Sequence, residues 1–257
     1  MPEGRYDRQL GLPELGNGGQ QKLAAAHITV VGAGGLGSSL LFSLAGIGVK
    51  NLRIIDHDTV SLTNLNRQFL YTPADIGLNK AEQAASRLAA YDPDLKLEVF
   101  AKKVDETNIY ELIEGSDLVI ICVDSANIRY LLNETCCRLG ISYIDGAVNA
   151  FYGYISYIIP RSSACYVCQN GPLHHVDRPE GSRTGTAMVL GTAPAVIGSM
   201  QAQLAASVIL GCSQAVPGNR YYYNGKDQSI DMVRHQRDPD CSCCGTADLY
   251  KDGEMGK

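Results

Sequence analysis

No block of basic residues and no arginine-rich run occurs in these 257 residues. Lys and Arg number 22 against 27 Asp and Glu, a net charge of −5, so nucleic acid is not expected as a main partner. No apolar run of about 18 residues stands out, so neither a transmembrane helix nor a membrane partner is expected. Met1 to Leu10 are polar and charged and do not resemble a secretory leader. Internal repeats and low-complexity tracts are missing too. Nine cysteines without a leader point to reduced thiols and metal ligands rather than a disulfide framework, and to a cytoplasmic protein. What the chain does have is apolar content: 45% of its residues are hydrophobic, enough for one large domain with a substantial core.

Short β-branched runs alternate with helical patterns. Strands are expected at Ile28–Val31, Leu52–Ile55, Leu97–Phe100, Leu118–Val123 and Ser142–Asp145. Helices are expected at Leu36–Ile47, Asn79–Tyr91 and Asn127–Leu139. This alternation predicts an α/β fold with a doubly wound, Rossmann-like, mainly parallel sheet. After Gly146 the pattern changes. Tyr154–Ile159 reads as an antiparallel strand, Gln169–Thr186 as a long loop, and Ala195–Leu210 as an apolar helix against the sheet. Tyr221–Tyr223 and Ile230–Val233 read as a late hairpin, giving a C-terminal antiparallel extension. The organisation is one domain over 1–257: an arm to residue 26, a core over 27–150, a second part over 151–245, and a frayed tail over 246–257.

Gly32-x-Gly34-x-x-Gly37 lies between the first strand and its helix. Glycine permits the tight turn and close approach of backbone to phosphate, and the helix N-terminus offers free N–H groups. Asp56, ending the second strand, is placed to accept hydrogen bonds from ribose hydroxyls. By themselves these features also fit a nicotinamide-dependent oxidoreductase. A dehydrogenase needs few cations, however, whereas Arg67, Lys80 and the N-terminal Arg8 can all meet one anionic ligand here. Asp124, at the end of the fourth strand, can hold Mg²⁺ or orient a cation. It also reads as a helix cap, a role the following Ser125 can take. Cations and a metal together suit attack by one anion on a phosphate.

Cys165-x-x-Cys168 and Cys241-x-x-Cys244 form two knuckles whose four thiolates suit tetrahedral Zn²⁺. Cys243 is an alternative ligand to Cys244, and redox-active or merely buried cysteines are the competing reading. Cys122, Cys136, Cys137 and Cys212 read as small apolar core residues.

Taken together, Arg5-Tyr-Asp-Arg8-Gln9, Gly32-Ala-Gly-Gly-Leu-Gly37, Asp56-x-Asp58, Asn64-Leu-Asn-Arg67-Gln68, Gly77-Leu-Asn-Lys80, Asp124, Gly198-Ser-Met-Gln-Ala202 and the two knuckles resemble the HesA/MoeB/ThiF adenylyltransferases, relatives of the ubiquitin-activating enzymes. The resemblance implies a nucleotide site lined by Gly35 and its neighbours, with Asp56 on the ribose. Asn64, Arg67, Gln68 and Lys80 would contact the phosphates of ATP, with Asp124 at the Mg²⁺ and reacting centre. It further implies a homodimer in which Arg8 reaches the partner subunit's site, and zinc bound away from the chemistry. The substrate would be a ubiquitin-like (β-grasp) sulfur-carrier protein ending in Gly-Gly, activated as acyl-AMP. Many relatives carry a cysteine in the loop before Val189-Leu190-Gly191, where this chain has Thr184. With no rhodanese-like segment after Cys244, a separate sulfur donor is expected. Adenylation of a peptide or small-molecule carboxylate, and a non-catalytic zinc-stabilised scaffold, are the competing functions.

Overall fold

The structure, a computed structural model, describes residues 4–172 and 188–245. Thr184 and the tail after Gly245 lie outside the described residues. One sheet of eight strands runs through the molecule in the order β3-β2-β1-β4-β5-β6-β7-β8. Its parallel part comprises β1 (His27–Val31), β2 (Asn51–Ile55), β3 (Lys96–Phe100), β4 (Leu118–Ile121) and β5 (Tyr143–Asn149). The chain then reverses into β6 (Tyr152–Ile158), β7 (Arg220–Asn224) and β8 (Ser229–Val233), each antiparallel to its neighbour. The mainly parallel sheet and its antiparallel extension thus match the sequence expectation. β4 stops two residues before the expected Val123, and β5 runs four residues beyond the expected Asp145 to pair with β6.

Strands β1 and β4 have helices on both faces, which is why they read as continuous apolar runs rather than alternating ones. On one face lie α3 (Gly35–Ile47), α4 (Lys80–Tyr91) and α8 (Thr192–Leu210). Leu40, Leu41 and Leu44 of α3 are fully buried there. On the other face are α5 (Ile109–Ile113) and α6 (Ala126–Leu139), whose Leu112, Ile113, Leu132 and Cys136 share a core with the four knuckle cysteines. Among the described residues four α-helices have no counterpart in the sequence expectation: α1 (Asp7–Leu10), α2 (Gly16–Ala25), α5 and α7 (Tyr166–Asn170). α1, α5 and α7 span only four or five residues, too few to show a helical period, α2 opens on glycines of low helix propensity, and α1 buries no residue.

Helix α8 departs from the expectation about apolar segments. Its 19 residues carry no charge and reach a mean hydropathy of 1.4, long and apolar enough by length and composition to cross a bilayer. Here it is a core helix, crossing α3 so closely that a Cβ on Gly198 would overlap the Leu36 carbonyl oxygen and Ser39 Oγ.

Candidate active site

All five parallel strands end at the same edge of the sheet, and a cavity of about 740 Å³ opens there. It lies beside the N-terminus of α3, where β1 and β4 diverge in the strand order. That is the position where open parallel sheets bind ligands. Gly32, with φ +100°, makes the turn that only glycine adopts readily. Gly34 and Gly35 line the cavity; a Cβ on Gly35 would lie 3.0 Å from Pro194 of α8. Gly37 is the exception among the motif glycines. It does not line the cavity; a side chain there would strike the Gly32 carbonyl, so its role is to let helix and strand pack.

Asp56 sits at the C-terminal end of β2 with both carboxylate oxygens engaged. Oδ2 accepts from Ala33 N at 2.8 Å and Oδ1 from Asp58 N at 2.9 Å, which aims the remaining lone pairs into the cavity rim. Burial pushes its carboxyl above the ordinary range against those two N–H donors. Asp58 is the opposite case. Partial burial raises it, but Lys80 Nζ at 2.9 Å outweighs this and holds its carboxyl below the ordinary range. Lys80 itself is buried at the first position of α4, where Asn79 caps the helix by accepting from Glu82 N. The Tyr71 hydroxyl, 2.7 Å from the Ala33 carbonyl and 3.1 Å from that of Lys80, ties this helix start to the glycine turn.

Asn64 and Ser61 form a reciprocal capping box around the short 3₁₀ turn Leu62–Asn64. Arg67, just beyond, donates from Nη1 to Thr63 O and Asn66 Oδ1, both at 2.9 Å, and lines the cavity with Asn64. Gln68 is 4% exposed, and its Oε1 is buried with no hydrogen-bond partner among the described residues. Such an orphan costs about 1–3 kcal/mol unless a ligand or water meets it. Ser125, not Asp124, caps α6, accepting from Ile128 N. Asp124 is therefore not spent on capping and lines the cavity.

The structure brings Gly32, Gly34, Gly35, Asp56, Asp58, Asn64, Arg67, Gln68, Lys80 and Asp124 to one cavity. It does not bring Arg8 there. Arg8 lies on α1, whose neighbour Gln9 donates to Ile47 O at the far end of α3. The thirteen residues of α3 separate the two ends by about 18 Å at 1.5 Å per residue.

Sequence reasoning missed other parts of the wall. Lys102 and Lys103, after β3, add cations to the rim. Arg129, also on the wall and only 5% exposed, pairs with Asp145 Oδ1 and donates to the carbonyls of Val123 and Gly146. Tyr154 donates to Asp145 Oδ2 at 2.7 Å. The pair thus ties β5 to the loop that carries Asp124. Sixteen residues separate Arg129 from Asp145, and only the strand order brings them together.

Away from the cavity, the four knuckle sulfurs all lie within 4.8 Å of one another. Cys165–Cys168, Cys165–Cys241 and Cys168–Cys244 are 3.8, 3.7 and 3.5 Å apart. Tetrahedral zinc with sulfur at about 2.3 Å places its ligands about 3.8 Å apart, so the cluster fits that ion. Cys243 is instead met by Asn133 Nδ2 at 2.8 Å, and Asn133 Oδ1 accepts from Tyr143 and from Tyr166 N. Cys136 and Cys137 are buried as expected, Cys122 lies in the cavity wall, and Cys212 is exposed, against expectation.

A family model described as ThiF family matches residues 6–243. The chain is 34% identical over 247 residues to the SAMP-activating enzyme E1 of Haloferax volcanii, covering 94% of this chain and 88% of that one. It is 34% identical over 248 residues to the sulfur carrier protein adenylyltransferase of Thermus thermophilus, covering 94% and 90%. Among solved structures it is similar to Escherichia coli MccB with MccA-N7isoASN, at TM-score 0.83 and 25% identity over 95% of this chain and 75% of that one.

Proposed function

The chain belongs to the ThiF family and is an adenylyltransferase, and we propose that it activates the C-terminal glycine of a ubiquitin-like sulfur carrier. The observation that carries the reading is the cavity: the glycine turn at the α3 N-terminus, the strand-end carboxylates, Arg67 and Lys80, and the orphaned Gln68 Oε1 around one space. A carboxylate oxygen of the carrier attacks the α-phosphorus of ATP. The bond from that phosphorus to the bridging oxygen breaks, pyrophosphate leaves, and the mixed anhydride acyl-AMP remains. Asp56 holds the ribose, and the α3 N-terminus and Gln68 orient the phosphates. Arg67 and Lys80 offset the repulsion between two anions as charge builds on the leaving group. Asp124 would hold Mg²⁺, which supplies further charge neutralisation when bound.

ATP–pyrophosphate exchange, run with β-grasp carriers ending in Gly-Gly, tests the reading. Exchange that needs the carrier and its terminal glycine supports it; carrier-independent exchange, or none, overturns it. A second reading is adenylation of a peptide carboxylate, favoured by the likeness to MccB, which was solved with MccA rather than with a sulfur carrier. Peptides in place of the carrier separate the two.

Arg8 sits at the wrong end of α3 for its own cavity, and Leu62, Phe69, Ile76 and Leu78 are exposed apolar residues in the same stretch of chain as the cavity residues Asn64, Arg67, Gln68 and Lys80. Both support a homodimer in which Arg8 serves the partner subunit. Zinc at the four knuckle cysteines would be structural. A separate protein would donate sulfur, and a thioester between this chain and its carrier in non-reducing mass spectra would overturn that expectation.

A further inference from the structure

The N-terminal arm has almost nothing of its own to hold it. Helix α1 is four residues long with no buried side chain, and isolated helices of that length do not persist in water. What fixes it is the Tyr6 ring, packed so closely on Gly48 that a Cβ there would strike it, together with a set of polar contacts at the end of the sheet opposite the cavity. Arg5 donates from Nη2 to Tyr91 O at 2.9 Å and lies 5.0 Å over the Tyr91 ring. Its Nη1 is 2.9 Å from Asp92 Oδ2, and Lys50 Nζ is 2.6 Å from the same oxygen. Gln9 completes the attachment through Ile47 O and Gln20.

Asp92 is the odd member of this group. It stands at the C-cap of α4, the end of a helix where a negative charge is unfavourable. Its Oδ1 organises the turn after the helix by accepting from Asp94 N at 3.1 Å, a bond that any Asx side chain provides. Its Oδ2 is given wholly to the two cations. The carboxylate is 4% exposed, one of its cations comes from the arm, and that arm carries an exposed Arg8 with no hydrogen-bond or ion-pair partner among the described residues.

We propose that Asp92 is a positioning residue for the partner subunit's active site: it clamps the arm through Arg5 so that Arg8 is delivered across the dimer. The inference rests on the shared-site reading above. It predicts that loss of the clamp damages the site of the other subunit and spares the cavity of the chain that carries the change.

Mixing experiments read that difference directly. Asp92→Asn keeps the turn-forming Oδ1 and removes the charge; its homodimer should lose about tenfold or more in carrier-dependent exchange, a loss of about 1.4 kcal/mol of transition-state stabilisation. Mixed with Lys80→Ala, whose arm is intact, it should recover to about a quarter of the wild-type rate, the yield of random exchange in a two-fold dimer. Mixed with Arg8→Ala it should not recover, because neither chain then delivers an arm. Damage confined to the chain's own core gives the reverse pattern, recovery with Arg8→Ala and none with Lys80→Ala, and overturns the proposal. The control cross of Arg8→Ala with Lys80→Ala must recover first, with subunit exchange verified by native mass spectrometry. Its failure overturns the shared site and the clamp with it, and so is distinguishable from failure of the clamp alone. Should Asp92→Asn not fold, Arg5→Ala, a change at an exposed side chain, must show the same pattern; full activity of its homodimer overturns the clamp.

Discussion

At the cavity, Gln68 Oε1, the second terminal nitrogen of Arg67 and the Asp124 carboxylate all hold bonding capacity that no other described residue uses. At the cysteine cluster the capacity is used up. Four sulfurs face one another near the tetrahedral spacing, and the neighbouring Asn133 satisfies Cys243, Tyr143 and Tyr166 N with a fully buried amide. Both regions are clusters of polar groups on the same chain, and burial alone does not separate them, since Lys80 and Gln68 are as buried as Cys241 and Cys243. What separates them is whether the bonding is closed. A closed set of ligands holds structure; an open one leaves positions for something that arrives and departs.

The contrast breaks most sharply if the closed region is denied the zinc proposed for it. Cys165→Ser or Cys241→Ser should abolish binding of about one zinc per chain and lower the melting temperature by about 10 °C or more, because ligation energies of about 10 kcal/mol rival the whole stability of a domain. Metal analysis and calorimetry measure both, and anaerobically purified wild type without zinc would refute the assignment. The open region should answer in rate instead. Lys80→Ala and Arg67→Ala are each expected to cut exchange about 10²-fold; near wild-type exchange in both would sink their role as clamps.

Gln68→Met sharpens the comparison further, since it should move affinity and stability in opposite directions. ATP binding weakens about tenfold, while the ligand-free protein gains about 1 kcal/mol from losing a buried unmet acceptor. Titration calorimetry and denaturant unfolding decide; a stability loss would mean that Gln68 is bonded in the free protein. The smallest effect belongs to the Lys80–Asp58 pair. Because the folded Asp58 carboxyl is depressed, its contribution is complete above the ordinary aspartate range and is lost as pH falls through the lower folded value. With the Asp58 side chain 53% exposed, solvent screening limits this to under about 1 kcal/mol. In Asp58→Asn the acid limb of the stability curve should flatten by no more than that, as followed by urea unfolding between about pH 5 and 3.

The parts of this architecture that were legible in the sequence are those written as local spacing. The glycine turn, Asp56 at a strand end, Lys80 after its Asn79 cap and the two knuckles are all short-range patterns, and all fall where spacing predicts. The rest depends on which strands become neighbours. Arg129 and Asp145 meet only because β4 and β5 pair, and Lys102 and Lys103 reach the rim only because β3 lies beside β2. Gly37 misleads for a related reason: in a motif, a glycine that touches phosphate and one that admits a helix look the same. The role proposed for Arg8 came through resemblance alone, since nothing local to that residue points to a partner subunit's site.

Helix α8 carries a consequence for how the protein is made. The parallel half, with all five of its strands, is complete by Asn149, yet the face of α3 that lies against Gly198 is covered only by a segment beginning at Thr192. A ribosome must therefore release a further 61 residues (150–210) before that half can bury its own core. Until then the nascent chain displays an uncovered leucine-rich helix, and the helix that will cover it is itself uncharged and apolar. Chains halted just short of Thr192 should accumulate as aggregates or chaperone-bound intermediates, and chains released after Leu210 should not. For this protein the vulnerable interval of synthesis would fall late, after every strand of the parallel half has left the ribosome.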